Sequence, residues 1–209
     1  MELTKTLQNY LDELSSNAPT PGGGNVAALS GVLASSLGAM VCNLTIGKKK
    51  YAEVESEMNK VKTKLESLQN EFISLASKDN AAFDKVMEAF KLPKETDEQK
   101  SLRREAIEKA TYQAALVPAE VINKCNELLP YLEIVANKGN QNSLSDAGVA
   151  ISLTSTASQG AFLNVLINCT SLSDKQNANG LLMKYENINL DFNNKCKSML
   201  DEIIKRLKA

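Results

Sequence analysis

Two long stretches of the chain carry no charged residue, and this feature constrains the fold more than any other. They run from Ser15 to Gly47 and from Ala147 to Ser173. Each stretch is long enough to cross a membrane as a helix. Both, however, contain several Ser and Asn side chains, and small residues dominate them. We therefore expect two central helices that are surrounded by the amphipathic ones and buried nearly all round, and no membrane. So much buried helical surface in a chain of this size also predicts an oligomer.

The segments between and around these stretches have amphipathic helical patterns. From Tyr51 to Ala89 the apolar positions recur in steps of three and four, which predicts one helix of about 40 residues with a coiled-coil-like seam. Similar spacing predicts a short first helix from Leu3 to Leu14 and a last helix around Tyr185 to Ile203. No segment alternates with period two. The pattern predicts an all-α multihelical bundle with long antiparallel helices, formed by one domain over residues 1–209.

Local signals predict where several helices begin and end. Asn25 is a good N-cap for the first charge-free helix, and Gly47 is a good residue to follow its C-terminus. Thr96 and Gln99 have the spacing of a capping box. These residues place the first charge-free helix between 25 and 47, and a new helix after 96.

Prolines divide the segment that follows. We expect a kink at Pro118, and a break at Pro130 that restarts a short helix closed by Gly139. After a polar loop, Ser145 is the expected N-cap of the second charge-free helix.

The composition excludes some classes of function. The net charge is −1 and Trp is absent, so neither nucleic acid nor an anionic membrane is an expected partner. Histidine is also absent, which leaves proton chemistry to carboxylates, Lys, Tyr or Cys. The four cysteines, none in a CxxC pair, are expected to be reduced core thiols of a cytoplasmic protein. The N-terminus lacks the pattern of a signal peptide.

Asp79 lies in the seam of the long third helix, between Leu75 and Ala82. A carboxylate at such a position is wholly or partly buried, and burial raises its pKa. A functional role and a structural pairing are equally compatible with the pattern. Asp84 lies off the seam, where a solvated position is the simplest interpretation.

Three consecutive glycines, Gly22, Gly23 and Gly24, precede the first charge-free helix. Neither the spacing of a dinucleotide-binding loop nor the G-K-[ST] of a Walker loop is present. Glycines at a helix N-terminus still expose backbone N–H groups, which attract anions or carbonyl oxygens. A tight turn after two prolines explains the glycines equally simply.

Two further groups of polar residues are candidates for binding. Ser145 and Asp146 follow a run of amides that includes Asn142, and Asn164 and Asn168 share one face of the second charge-free helix. Such amides form either a hydrogen-bonded core network or a site that recognises a heterocycle. The run from Lys48 to Tyr51 contains three lysines, which either complement a helix C-terminus or bind a carboxylate.

Three segments together resemble the cyclodeaminase/cyclohydrolase family. The family includes the C-terminal cyclodeaminase domain of formiminotransferase-cyclodeaminase and free-standing methenyltetrahydrofolate cyclohydrolases. The segments, in chain order, are "TPGGGNVAALSGVLASSLGAMVCNLTIGKKKY", "KDNAAFDKVMEAFKLP" and "NSLSDAGVAISLTSTASQGAFLNVLIN". One departure is Asn25, since the family usually has Ser or a similarly small residue after the triple glycine.

The resemblance implies a helical homodimer with a folate pocket near the dimer interface. It implies chemistry at the one-carbon bridge between N5 and N10 of tetrahydrofolate, with neither a metal nor a redox cofactor required. Asp79 and Asp146 would be the catalytic residues: Asp79 would stabilise the amidinium cation and orient or deprotonate water, and Asp146 with the nearby amides would bind the pterin edge. The substrate-binding residues would be Gly22, Gly23, Gly24, Asn25, Lys49, Lys50, Tyr51, Asn142, Ser145, Asn164 and Asn168.

Three functions remain open at this point. The first is hydrolysis of 5,10-methenyltetrahydrofolate to 10-formyltetrahydrofolate. The second is cyclisation of 5-formimidoyltetrahydrofolate with release of ammonia. The third is a non-catalytic helical interaction module, in which the long seams and small-residue helices are assembly surfaces and folates do not bind.

Overall fold

Every regular element of the protein is a helix in the computed structural model, which describes residues 6–209. The predicted all-α class is thus confirmed; Leu3, assigned to the first helix, lies outside the described residues. Short 3₁₀ turns at Lys49–Val54 and Gln141–Ser143 precede two of the helices. The α-helices are α1 Leu7–Leu14, α2 Gly23–Thr45, α3 Glu55–Phe90, α4 Asp97–Lys138, α5 Leu144–Ser171 and α6 Lys175–Lys208.

The two charge-free segments form α2 and α5, which pack against each other. α2 also contacts α3 and α4, and α5 also contacts α4 and α6. Glycines in α2 allow it to approach α3 and α4 closely. A Cβ on Gly31 would lie 2.6 Å from the ring of Phe72, and a Cβ on Gly38 would lie 2.7 Å from Leu132. Small residues in α2 are therefore a packing requirement.

One surface of the pair α2 and α5 remains uncovered within the chain. α2 is mostly buried, but less than half of the apolar part of α5 is. A single chain therefore does not by itself cover α5 on nearly all sides. By length and composition both helices would also suit a membrane. The exposed apolar residues, which we call the α2–α5 face, are Val26, Leu33, Met40, Leu44, Val149, Leu163 and Ile167.

The predicted seam of α3 is buried from Met58 to Leu75 and again at Ala89, whereas Ala82 and Val86 are half-buried. Helix α3 itself begins at Glu55, one 3₁₀ turn later than the periodicity predicted. The seam supplies much of the hydrophobic core, and its side chains pack against α2 and α4. Its buried members are Met58, Val61, Leu65, Leu68, Phe72, Leu75 and Ala89.

Three predicted helix ends are wrong. α2 begins at Gly23 with Gly22 as its cap, so Asn25 lies inside the first turn and its side chain is free to bond elsewhere. α5 is capped by Ser143, and Ser145 lies within its first turn. α4 continues through Pro130 without restarting. Buried leucines on both sides of this proline hold the helix together despite the lost hydrogen bond.

Other local predictions are confirmed. The Thr96 hydroxyl accepts from the N–H of Gln99, whose side chain accepts from the Thr96 N–H, both at 3.2 Å. Gly139 closes α4, and Gly47 follows α2 with a φ of 77°. All four cysteines are free and buried. Burial raises the pKa of the Cys42 thiol to about 11, so it stays protonated and unreactive at neutral pH.

Candidate functional site

Asp79 lies where α3 crosses the first turn of α2. Its carboxylate packs directly against Gly24: a Cβ on that glycine would overlap Asp79 Oδ1 and would lie 2.7 Å from its Cγ. The third glycine of the run therefore leaves room for this carboxylate. The residue is half-buried, as its seam position predicted.

Two opposing effects act on the Asp79 carboxyl. Desolvation by burial raises its pKa, and a hydrogen bond from the backbone N–H of Asn25 lowers it, with a net increase. The charged form is thus less favoured than in water, while one oriented N–H group still holds it in place. A carboxylate of raised pKa is a stronger base than an ordinary aspartate.

The side chain of Asn25 is fully buried and bonds to two neighbouring helices. Its Oδ1 accepts from the Tyr10 hydroxyl of α1 at 2.9 Å. Its Nδ2 donates to the Ala76 carbonyl oxygen at 2.8 Å and to Asn80 Oδ1 at 3.2 Å, both on α3. Asn25 therefore joins α1, α2 and α3 directly behind Asp79.

Two amides of α5 complete this end of the molecule. A Cβ on Gly23 would lie 3.5 Å from Asn164 Nδ2, which itself donates to the Gly160 carbonyl oxygen at 2.9 Å. One turn later, Asn168 Nδ2 donates to the Ala114 carbonyl oxygen of α4 at 3.3 Å. We call the following residues the Asp79 cluster: Gly22, Gly23, Gly24, Asn25, Asp79, Asn164 and Asn168.

The remaining predicted site residues lie at the other end of α2. The Tyr51 hydroxyl donates to Asn140 Oδ1 at 3.4 Å and accepts from the Gln141 N–H at 3.0 Å. Asn140 is in turn held by the Thr45 hydroxyl, which accepts from its N–H at 2.8 Å. Asn142 donates its N–H to Asn140 Oδ1 at 3.1 Å. This network joins the end of α2 to the start of α5.

Charged residues surround the network. Lys50 Nζ lies 5.4 Å from the centre of the Tyr51 ring, and Lys49 is exposed. Asp146 is half-buried in the first turn of α5, where the helix dipole favours a carboxylate. We call these residues the Tyr51 cluster: Lys49, Lys50, Tyr51, Asn140, Asn142, Ser145 and Asp146.

The structure separates the two clusters by the full length of α2. With 23 residues, this helix is about 34 Å long at 1.5 Å per residue. Asp79 and Asp146 therefore do not meet within one chain. The two were placed in one site by the family resemblance, whereas helical periodicity identifies the face of a residue but not its distance along the helix.

Several residues beside Asp79 were missed by sequence reasoning. A cleft of about 620 Å³ between α3 and α4 begins at Lys78, and its walls include Lys85, Lys109 and a floor of alanines. None of these three lysines forms an ion pair with a described residue. Their signal in the sequence was weak, because isolated lysines on helices usually face solvent. Within residues 6–209, no group of three or more metal-ligating side chains is present.

Tyr10 is the second omission. It is the only buried residue of α1, and burial raises the pKa of its hydroxyl, so the group stays protonated and donates to Asn25. Its apolar spacing marked it only as a core position. The phenolic hydroxyl was the available signal, because a buried tyrosine normally has a hydrogen-bond partner.

Comparison with known proteins finds similar chains of two kinds. A sequence model of the formiminotransferase-cyclodeaminase family matches residues 6–187. A methenyltetrahydrofolate cyclohydrolase from Methylorubrum extorquens is 45% identical over 88% of each chain. The formimidoyltransferase-cyclodeaminase of Mus musculus is 33% identical over 82% of this chain, which spans only 32% of that protein.

A solved structure also resembles this one closely. The crystal structure of formiminotetrahydrofolate cyclodeaminase from Thermotoga maritima superposes with a TM-score of 0.80. It covers 96% of this chain and 98% of its own, with 33% sequence identity.

Proposed function

Because this chain belongs to the formiminotransferase-cyclodeaminase family, we propose that it is an enzyme that hydrolyses 5,10-methenyltetrahydrofolate to 10-formyltetrahydrofolate. The observation that carries the proposal is the match to a protein named as this cyclohydrolase, at 45% identity over 88% of both chains. Relatives named as formimidoyltransferase-cyclodeaminases share less sequence and are about three times longer than the matched part. The cyclodeaminase reaction is the second candidate, because the Thermotoga maritima protein named as a cyclodeaminase has a similar length but only 33% identity.

Asp79 is suited to the chemistry of the cationic substrate. The bridge carbon of methenyltetrahydrofolate shares a positive charge with N5 and N10, and a half-buried carboxylate stabilises such a charge more strongly than one in water. As water adds to the bridge carbon, Asp79 accepts its proton, and a neutral tetrahedral adduct forms. The proton then passes to N5 as the carbon–N5 bond breaks. The hydroxyl proton leaves to solvent, and the formyl group remains on N10.

The neighbouring groups would orient the substrate. Gly23 is exposed and allows a flat ring to approach the backbone beside Asp79, because it presents no side chain there, while Gly24 makes room for the carboxylate itself. The amides of Asn164 and Asn168 each offer donor and acceptor atoms to the edge of the pterin. We assign Gly23, Asn164 and Asn168 to substrate binding on the basis of their position around Asp79.

We further propose that the protein is a homodimer with composite sites. The α2–α5 face contains seven exposed apolar side chains on two helices that pack against each other, and exposed apolar patches are typical of interfaces. Two copies related by a twofold axis across the middle of α2 would pack this helix antiparallel to its partner. The Asp79 cluster of one protomer would then face the Tyr51 cluster of the other. This arrangement brings together the residues that one chain keeps apart, in a protein that we expect to be cytoplasmic.

The carboxylates of the glutamate tail have two candidate binding sets. One is the pair Lys49 and Lys50, which would come from the opposing protomer. The other is the cleft beside Asp79, with Lys78, Lys85 and Lys109. The two sets are distinguished by measuring KM for substrates with one and with five glutamates in variants of each set. We expect a longer tail to lower KM, and only substitutions in the set that binds the tail will abolish this decrease.

One assay of the purified protein tests the proposed reaction. Methenyltetrahydrofolate is followed by its loss of absorbance, and 5-formimidoyltetrahydrofolate by ammonia release. We expect turnover of the first compound well above the uncatalysed rate and little ammonia from the second. Turnover of the second alone would establish the cyclodeaminase instead. Failure to bind either folate would favour the interaction module.

A further inference from the structure

Asn25 contacts its surroundings through two separate groups. Its side chain, fully buried, is held at three points by Tyr10, Ala76 and Asn80. Its backbone N–H lowers the pKa of the Asp79 carboxyl, and the adjoining Gly24 packs directly against that carboxylate. Anything that displaces the side chain therefore also shifts the stretch of backbone against which Asp79 packs.

The bond from Tyr10 comes from a different helix than the other two, whose partners lie on α3 together with Asp79. Tyr10 belongs to α1, which is only eight residues long and buries no other side chain. Its hydroxyl lies 2.9 Å from Asn25 Oδ1, and this is the only hydrogen bond that the Oδ1 atom forms within the described residues. Asn80 gives the Nδ2 group a second acceptor, one residue from Asp79 on α3.

A serine at position 25 could not make these bonds. Its single hydroxyl is one bond shorter than the amide and has one donor rather than two. The amide at position 25 therefore fits a network that ties α1 and α3 to the back of Asp79.

We propose that Tyr10 and Asn80 are positioning residues that act through Asn25 to fix the orientation of the Asp79 carboxylate. Neither touches the reacting atoms. The part of the inference that concerns turnover rests on the proposed function, whereas the part that concerns Asp79 itself does not. Without the bond from Tyr10, Asn25 shifts, and the backbone N–H withdraws from Asp79.

The surroundings of Asp79 make its titration easy to interpret. α2 has no charged residue, and neither does α5 from Ala147 onward. The titratable groups that line the two cavities beside Asp79 are Lys78, Lys85, Asp84 and Glu88 on α3, Lys109 on α4, and Tyr10 and Glu13 on α1. The variants used below keep all the charged groups among these and remove only the Tyr10 hydroxyl, which burial keeps uncharged at neutral pH.

The test compares Tyr10→Phe with the wild-type protein in two measurements. The first is the pKa of the Asp79 carboxyl, from ¹³C NMR of aspartate-labelled protein assigned with Asp79→Asn. Loss of the backbone donor destabilises the charged form, so we expect this pKa to rise. The second is the pH profile of kcat/KM. We expect its acidic limb to move to higher pH, and kcat to fall on the order of 10-fold with little change in KM.

Tyr185→Phe is the matched control. Tyr185 is another buried tyrosine, and its hydroxyl accepts from Asn123 Nδ2 at 3.1 Å, between α6 and α4. The Tyr185→Phe variant loses one hydrogen bond of a buried tyrosine, as Tyr10→Phe does, but between α6 and α4. We therefore expect no change in the pKa of Asp79 or in the acidic limb of the pH profile of kcat/KM. Asn80→Ala, at a half-buried position, provides a second test if Tyr10→Phe does not fold.

Two results would overturn the inference. One is a folded Tyr10→Phe or Asn80→Ala protein whose Asp79 pKa equals that of the wild type. The other is a Tyr185→Phe protein that shifts this pKa equally, since the effect would then be general destabilisation. A wild-type protein without folate activity would contradict the proposed function, while the NMR titration would still decide whether Tyr10 positions Asp79.

Discussion

At the scale of single residues, Asp79 shows a conflict between stability and function. Burial raises its pKa, so the folded protein binds this proton more tightly than the unfolded chain does. Its effect on stability is therefore unfavourable at pH values above the folded pKa, and it disappears as the pH falls below the unfolded pKa near 3.9. A residue that destabilises the fold at neutral pH is expected to persist for a functional reason.

Asp79→Asn separates these two roles. The amide keeps an acceptor for the Asn25 N–H but neither stabilises the substrate cation nor accepts a proton, so we expect kcat to fall by 10²-fold or more. Since the desolvation cost is removed, the melting temperature at pH 7 will be equal to or above that of the wild type. Calorimetry will show the difference shrinking towards pH 3. Substantial remaining turnover would remove Asp79 from its assigned role.

Gly24 is the residue whose missing side chain the site requires. In Gly24→Ala the new Cβ overlaps Asp79 Oδ1, so the carboxylate must rotate away from the Asn25 N–H. We expect a folded protein with at least 10-fold lower kcat, a loss of the size seen for misplaced catalytic groups. Gly180→Ala in α6 has open space around it and is expected to keep wild-type kcat. Equal activity of the two variants would contradict this account of Gly24.

At the scale of helices, periodic patterns of many residues predicted the helices correctly, whereas single capping residues and prolines did not predict the helix ends reliably. The seam of α3 repeats over many turns, so one polar member such as Asp79 does not obscure it. Asn25 and Ser145 are good caps, yet α2 is capped three residues earlier, at Gly22, and α5 two residues earlier, at Ser143. For α2, glycines allow the first turn to form without any side-chain cap. Pro130 is tolerated because buried leucines around it outweigh one lost backbone hydrogen bond.

The site was predictable in its residue types but not in its arrangement. A carboxylate in a seam and amides in an apolar run are unusual enough to stand out, and the structure places Asp79 beside Gly24 and Asn164 beside Gly23. That the remaining residues lie about 34 Å away follows from the rise of α2. The periodicity that identifies helical faces contains no information about which end of a neighbouring helix is near.

Packing of α2 predicts opposite effects for two glycine-to-alanine substitutions. A Cβ on Gly31 would lie 2.6 Å from the Phe72 ring, and the bulky, fully buried ring has no space to move. We expect Gly31→Ala to lower the free energy of unfolding by about 1–3 kcal/mol through overpacking. Gly180→Ala, in an open position of α6, should raise it by up to about 1 kcal/mol through helix propensity. Urea denaturation measures both, and a stabilised Gly31→Ala would contradict the close packing.

At the scale of the whole molecule, two observations have one common explanation. The α2–α5 face is apolar and uncovered, and the candidate site is split between the two ends of α2. An antiparallel pairing of two copies through this face covers the apolar surface and also joins the two halves of each site. A membrane would cover the same surface, but it would leave the Asp79 and Tyr51 clusters apart.

Mixing two inactive variants tests whether each site draws on both protomers. We expect Asp79→Asn and Asp146→Asn homodimers to be nearly inactive. When the two chains are co-expressed with different tags, half of the dimers are heterodimers. Each of these has one site with both native aspartates and one site with neither. The mixture should therefore recover about a quarter of wild-type activity, because the halves come from different subunits.

The control for this experiment pairs two variants of the same cluster. Asp79→Asn and Asn164→Ala both alter the Asp79 cluster, so every site of their heterodimer contains one defect and no activity should return. Restoration in this pair, or its absence for Asp79→Asn with Asp146→Asn, would contradict the composite site. A fully active Asp146→Asn homodimer would remove Asp146 from catalysis. Because the expected recovery depends only on which subunit supplies each aspartate, the result tests the dimer and the site together.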